Sequence, residues 1–192
     1  RAIASLEKRG HLDNTIVVVT SDHGMTFPRA KASLYDWGSR VPLAIRWPRG
    51  IRNPGRDVKD FVHLSDLAPT FIEAAGADVP SMMTASSLMK IFSGQKMNDR
   101  DAAYFAMERH DGCREGGKGY PCRAVRTQDY LYIYNFEPGR WPSGSPDPRV
   151  CARSIPFGEI DTSPTKSFMM ERRWEHGIAH LAELSFGMRP AE

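Results

Sequence analysis

The stretch Asp13-Asn14-Thr15-Ile16-Val17-Val18-Val19-Thr20-Ser21-Asp22-His23-Gly24 decides how the chain is read. Thr15 to Thr20 is a continuous β-branched run, which suits a strand covered on both faces, as in a parallel sheet between helix layers. A polar cluster, Ser21 to Gly24, starts directly at the carboxyl end of that strand. Ligand sites in open α/β sheets collect at that end, so position alone draws attention to Asp22 and His23. Upstream, Ile3 and Leu6 are spaced for one helical face, and Gly10 ends that helix. Downstream, Val41-Pro42-Leu43-Ala44-Ile45-Arg46-Trp47 reads as a second strand, closed by Pro48 and Gly50. Ser65 or Asp66 then caps a helix carrying Leu67, Phe71, Ile72 and Ala75, with Gly76 as its stop and Pro69 tolerated in its first turn.

Past a polar connector from Ser93 to Asp101, the pattern changes from α/β to hairpins. Ala102 to Met107 reads as a strand. Arg123 to Arg126, a turn at Thr127-Gln128-Asp129, and Tyr130 to Tyr134 read as an antiparallel pair rich in aromatics. Six prolines between residues 137 and 165 predict a long loop. A last helix is predicted from Thr165 to Leu184, showing Phe168, Met169, Ile178, Leu181 and Leu184.

Of the 192 residues, 41% are hydrophobic, which is ordinary for a globular protein and excludes a disordered tail. Net charge is +3, too small and too evenly spread for a nucleic-acid surface. The longest purely aliphatic run is Ile16–Val19, so no segment spans a bilayer as a helix. Arg1-Ala2-Ile3-Ala4-Ser5-Leu6 reads as the middle of a helix, and the chain is expected to be a piece of a longer polypeptide. Three cysteines, Cys113, Cys122 and Cys151, have no C-x-x-C spacing. Cys113 and Cys122 flank a Gly-rich loop and can pair across it in an oxidising compartment; three free small residues fit equally.

Asp22-His23 is the sharpest chemical pair. A carboxylate and an imidazole leaving a strand tip can hold a divalent cation from one side; the alternative is an Asp capping the next turn beside an exposed His. Lys31, nine residues on, would neutralise an anionic sulfate or phosphate oxygen beside such a cation, or is a surface lysine. His110, in Glu108-Arg109-His110-Asp111, would hydrogen-bond a polar substrate or lie in a solvated turn. His176 and His180 have helical zinc-site spacing, but Gly177 stands where H-E-x-x-H needs its Glu, so they read as a polar face with Lys166, Glu171 and Arg172. His63 reads as packing before the helix. Neither G-x-S-x-G nor a Walker loop occurs.

Taken together, Asp13-Asn14-Thr15, Thr20-Ser21-Asp22-His23-Gly24, Lys31-Ala32-Ser33-Leu34-Tyr35-Asp36-Trp37-Gly38-Ser39-Arg40-Val41-Pro42-Leu43 and Arg46-Trp47-Pro48 resemble the second half of formylglycine-dependent sulfatases. Ser65-Asp66-Leu67-Ala68-Pro69-Thr70 looks like the D-x-x-P-T helix of that family. Tyr120-Pro121-Cys122-Arg123-Ala124-Val125-Arg126-Thr127, the strand ending Tyr134-Asn135-Phe136, and Ser163-Pro164-Thr165 are similar to the heparan N-sulfatase (sulfamidase) type.

The resemblance implies an α/β, alkaline-phosphatase-like α/β/α sandwich with a smaller antiparallel-sheet subdomain. Residues 1–92 would be the C-terminal part of the catalytic α/β domain, and 93–192 the α+β subdomain. Asp22 and His23 would be two ligands of the active-site calcium. The family more often has Asn where this chain has His23; related phosphonate and phosphodiester hydrolases use Asp-His with manganese or zinc. Lys31 matches the basic residue contacting the sulfate group, and His110 falls where sulfamidases carry histidines facing the sugar. The nucleophile motif, C-x-P-S-R or its serine variant, occurs nowhere here. It is expected upstream, as is the family's first pair of metal-binding aspartates. The chain alone should therefore be inactive. The implied partner is a sulfated carbohydrate, and the implied location is periplasmic or secreted. A phosphodiester or phosphonate monoester hydrolase, or a non-catalytic module binding sulfated glycans, stands as the alternative.

Overall fold

Helix α1 (Ala2–Lys8) leads through a 3-10 turn at Leu12–Asn14 into strand β1 (Val17–Thr20). This is a computed structural model, and it describes residues 1–97 and 99–176. After α2 (Asp36–Ser39), β1 pairs antiparallel with β2 (Leu43–Arg46), Val17 opposite Arg46 and Thr20 opposite Leu43. The expectation of a strand covered on both faces in a parallel pairing is corrected here: β1 pairs antiparallel with β2, and Val19 is 62% exposed. A parallel return needs a crossover element packed on the sheet face. The connection Ser21–Val41 carries only a four-residue helix and belongs to a different compact unit, so β2 returns antiparallel.

Two compact units divide the chain. One comprises Arg1–Thr20 with Pro42–Ala103; the other, Ser21–Val41 with Tyr104–Glu192. In the first, a 3-10 turn at Leu64–Asp66 opens helix α3 (Leu67–Ala74), and α4 (Met89–Phe92) follows. Leu88, Ile91, Phe92 and Met97 form its buried core, with Trp47, Val62 and Leu67 packed against them. Pro69 sits buried in the first turn of α3, where its missing N–H is not needed. Gly76, at φ +76°, ends that helix as expected. Asp66 occupies the cap position, but neither it nor Ser65 caps α3 with its side chain. The Asp66 carboxylate instead receives both Arg100 nitrogens, at 2.6 and 3.0 Å, together with His63 N and Ser86 N. A buried guanidinium is a stronger partner for a carboxylate than a neutral helix N–H.

The second unit is built on a three-stranded sheet in the order β3 (Ala102–Met107), β4 (Cys122–Thr127), β5 (Leu131–Asn135). β4 and β5 pair antiparallel, Cys122 opposite Asn135 and Arg126 opposite Leu131. Alternation turns Cys122 and Ala124 inward, where Leu34, Tyr120, Phe105, Met107, Leu131 and Ile133 pack, and leaves Arg123, Tyr132 and Tyr134 outward. The Pro-rich segment is an ordered loop: Phe157 and Ile160 are buried against Trp141, Met169 and Met170. A disulfide joins Cys113 to Cys151, not to Cys122. The β4 register faces Cys122 into the core, where its thiol donates to Asn135 Oδ1 at 2.9 Å and is out of play for pairing. Gly158 lies against both bonded sulfurs, so any side chain there would collide with them. Helix α5 spans Pro164–His176. The expected continuation through Ile178, Leu181 and Leu184, and the partner of His176 at His180, lie outside the described residues.

Candidate functional site

Asp22 and His23 leave the tip of β1, where the chain has just lost its ladder partner. The His23 ring places Nδ1 2.7 Å from the Gly24 carbonyl. A carbonyl only accepts, so Nδ1 carries a hydrogen and donates it to Gly24. Nε2 stands 3.6 Å from Asp22 Oδ2, and the Asp22 side chain is 86% exposed. One carboxylate oxygen and one ring nitrogen thus lie close together, both on solvent-accessible side chains. That spacing suits neighbouring positions around one divalent ion, whose ligand distances run about 2.0–2.6 Å. Among the described residues no group of three or more His, Cys, Asp or Glu forms a metal-binding cluster.

Lys31 sits in a turn whose flanking residues, Arg29 and Ala32, both adopt φ of 61°. Left-handed backbone at non-glycine residues is costly and collects where side-chain placement matters. The Lys31 ammonium donates to Asp161 Oδ2 at 2.7 Å, and Arg153 Nη1 donates to Asp161 Oδ1 at 2.8 Å. Lys31, first, and Arg153 hold the Asp161 carboxyl down to about 2, so it is charged at any working pH. Arg153 Nε also lies 3.5 Å from Asp111 Oδ2.

His110 meets the other acid of the same loop. Its Nδ1 lies 3.0 Å from Glu159 Oε2, which also receives Asp111 N at 3.1 Å. The second oxygen, Oε1, receives Arg114 Nη1 at 2.7 Å. Arg114 is itself buried, and its remaining nitrogens donate to the Trp141 and Pro142 carbonyls. Lys166 closes the loop from below, donating to the Phe157 and Ile160 carbonyls at 3.0 and 2.8 Å. Burial, with repulsion from Arg153 added, pushes the Lys166 amine down to about 8.

Lys31 and Glu159 both line a cleft of about 450 Å³ in the second unit, walled by Leu34, Tyr120, Cys122 and Ile133. The structure therefore brings Lys31 and His110 onto the two carboxylates of one short loop. Asp22 and His23 engage each other and Gly24, and they are not among the residues lining the cleft. Cys122, also on its wall, has its thiol raised to about 11 by burial, so it is neutral and not a nucleophile. His63 bonds through its backbone to Asp66, in keeping with packing. Asp161, Glu159, Arg153 and Arg114 were not singled out from sequence. One signal was present: Glu159 and Asp161 are the only carboxylates between Asp147 and Glu171.

Residues 23–142 match the family model described as N-sulphoglucosamine sulphohydrolase, C-terminal. The chain is 33% identical over 143 residues to an N-acetylglucosamine-6-O-sulfatase of Bacteroides thetaiotaomicron, covering 71% of this chain and 25% of that protein. A protein solved in complex with its substrate, D-glucosamine-2-N,6-O-disulfate, matches with a TM-score of 0.58 and 25% identity, over 97% of this chain and 37% of that one. The phosphonate monoester hydrolase of Agrobacterium radiobacter shares the fold at a TM-score of 0.59 and 22% identity, over 70% of this chain and 29% of its own. The chain spans about a quarter of the length of the curated relatives it matches.

Proposed function

The chain belongs to the N-sulphoglucosamine sulphohydrolase C-terminal family, and from that premise we propose that it is the C-terminal portion of a sulfatase hydrolysing a sulfate ester or sulfamate on a carbohydrate. The fold is the alkaline-phosphatase-like α/β class of its structural neighbours. The observation that carries the reading is the family match itself, which runs from His23 through Lys31 and past His110. A disulfated glucosamine is the substrate named for one structural neighbour, and it supports a sulfated sugar as the ligand class. Residues 1–92 are assigned to the catalytic α/β domain and 93–192 to the antiparallel-sheet subdomain.

Sulfatases of this family bind a divalent metal, and Asp22 with His23 fits two of its ligand positions: an exposed carboxylate oxygen and a ring nitrogen 3.6 Å apart. Calcium is the ion proposed, with manganese or zinc suited by the imidazole. When bound, such a cation polarises sulfate oxygens and lowers the pKa of a nucleophile's hydroxyl. Lys31 supplies the protein's own cation. Its ammonium exchanges Asp161 for a sulfate oxygen, while Arg153 retains Asp161, and it offsets negative charge as the leaving atom departs. None of this chain's cysteines supplies the nucleophile on this reading, since Cys113 and Cys151 are bonded to each other and Cys122 is a buried thiol raised to about 11. This chain alone is accordingly expected to be inactive. The disulfide favours an oxidising location, periplasmic or secreted. Among the described residues no helix is long and apolar enough to cross a membrane.

The Asp-His pair favours a second reading, a phosphodiester or phosphonate monoester hydrolase. Full-length protein assayed in parallel on sulfated and phosphorylated aryl substrates separates the two. Faster cleavage of the sulfated compound is expected; preference for the phosphorylated one replaces the sulfatase reading. Turnover of neither, with sulfated glycan still bound, makes this a binding module.

A further inference from the structure

Charge balance around the cleft of the second unit leaves one cation over. Arg29 and Lys31 both line it, with Glu159 as the carboxylate of its wall. Glu159 is answered by Arg114 at 2.7 Å, and Lys31 by Asp161 at 2.7 Å. Arg29 has no carboxylate within ion-pair distance among the described residues. Its guanidinium lies over the Tyr35 ring instead, 4.8 Å from the centroid, and Nη2 donates to Tyr35 Oη at a long 3.4 Å. Stacking engages the face of a guanidinium, whereas its donors lie in the plane. Most of the Arg29 fork therefore stays open.

The backbone fixes where that fork stands. Lys31 N donates to the Met25 carbonyl at 2.9 Å and Ala30 N to the Phe27 carbonyl at 3.1 Å, which ties the turn to itself. Ala30 is buried, and its carbonyl lies where any side chain at position 38 would stand, so Gly38 lets the turn seat. Arg29 and Ala32 hold φ of 61° on either side of Lys31. Non-glycine residues keep that conformation only where their surroundings impose it. Two cations, two residues apart on one tied turn, thus reach the same cleft.

We propose that this cleft takes a ligand carrying two oxyanions, and that Arg29 grips the second, a sulfate or a carboxylate, while Lys31 meets the first. A guanidinium fork matches two oxygens of either group. At about 450 Å³ the cleft has the size of a small-molecule site, and Leu34 and Ile133 give the body of the ligand an apolar wall. A ligand with one anion satisfies Lys31 and leaves Arg29 unmatched; a ligand with two satisfies both. Arg29 is then a specificity-determining residue. That the ligand is a sulfated sugar, and that Lys31 meets the sulfate to be removed, rests on the sulfatase reading above; the need for two anions does not.

Three probes on full-length protein test this. N-acetylglucosamine 6-sulfate carries one anion. Glucosamine 2-N,6-O-disulfate adds a second sulfate, and a disaccharide of a uronic acid with N-acetylglucosamine 6-sulfate adds a carboxylate. Affinities are read by calorimetry at about 0.15 M salt, or as KM where a probe is hydrolysed. At least one doubly charged probe should bind about 10–100-fold tighter than the singly charged one. Arg29→Asn, chosen because Asn tolerates left-handed backbone, should bring that ratio to within about threefold of one. The probe that loses its advantage identifies the second group as sulfate or carboxylate. No advantage in the wild type overturns the proposal, as does a loss in Arg29→Asn shared equally by the singly charged probe. Where turnover is measured, the change should fall on KM; a change in kcat with KM intact also overturns it. If Arg29→Asn fails to fold, the wild-type ratio and Arg29→Gly, with glycine at home at that φ, decide in the same way. A preference that depends on Arg29 without hydrolysis of any probe upholds the proposal and ends the sulfatase reading. Hydrolysis without such a preference does the reverse.

Discussion

Each compact unit buries one carboxylate against one arginine, and the two pairs end differently. In the first unit Asp66 takes a bidentate Arg100 fork and two backbone N–H groups, from His63 and Ser86. Burial alone would raise its pKa, but Arg100 and the two N–H groups outweigh that and hold it below the ordinary carboxylate range. Every acceptor position is filled from inside the unit, so the pair ties the turn before α3 to the segments holding Ser86 and Arg100. In the second unit Glu159 accepts from Arg114 at Oε1, while Oε2 is shared between Asp111 N and a ring that reaches solvent. The first pair is closed and structural. The second passes its orientation outward, and Asp161, two residues on, does likewise through Lys31. Buried charge is weak grounds for assigning a function until one asks where its last hydrogen bond goes.

The sharpest way to break this contrast is to cut the closed pair. Asp66→Ala should destabilise the protein by about 3–5 kcal/mol, because it removes the shared acceptor of a largely covered Arg100 and two N–H groups. Denaturant unfolding measures this, and a loss below about 1 kcal/mol would remove Asp66 from its structural role. Lys31→Ala cuts the open side. It should leave stability nearly unchanged and lower turnover of the full-length protein about 100–1000-fold. Unchanged turnover would leave Lys31 as a partner for Asp161 and nothing more.

Much of this was legible in the chain, and unevenly. The β-branched run, the stop at Gly76, the strand at Ala102–Met107 and the β4–β5 hairpin are local patterns, and local patterns survive into the fold. Lys31 and His110 were singled out by their place in motifs, and both reach the loop at Glu159 and Asp161. What escaped was long-range. Nothing local tells Asp66 that Arg100 will displace its capping role. Nor does spacing distinguish Cys151 from Cys122 as the partner of Cys113, since that choice depends on which face of β4 points inward. The direction of β2 likewise depended on what the intervening residues Ser21–Val41 do, not on the hydrophobicity of either strand.

Two smaller effects sharpen the same contrast through pH: both make stability rise with pH, in windows far apart, one relieving a burial cost and the other completing an ion pair. Lys166 is a buried base whose amine is pushed down to about 8, so between about pH 8 and its unfolded value of 10.5 the unfolded chain binds more protons. Stability should therefore rise with pH across that window, the cost of burying the charge being fully present below about 8. Lys166→Met should flatten the rise, a difference on the order of 2 kcal/mol between pH 7.5 and 10 by denaturant midpoints. An unchanged slope would mean the amine is not buried as described. Asp161 acts in the acid window: an acid held at about 2, its stabilising contribution is complete above about pH 4 and is lost as pH falls through about 2. Because its partners Lys31 and Arg153 reach solvent, the effect should be only ~1 kcal/mol. Asp161→Asn should remove that acid limb while leaving stability at pH 7 lower by the same amount. The two carboxylates of the loop are then separable by experiment: replacing Asp161 should alter the acid limb and the hold on Lys31, yet leave the Glu159–Arg114 pair in place.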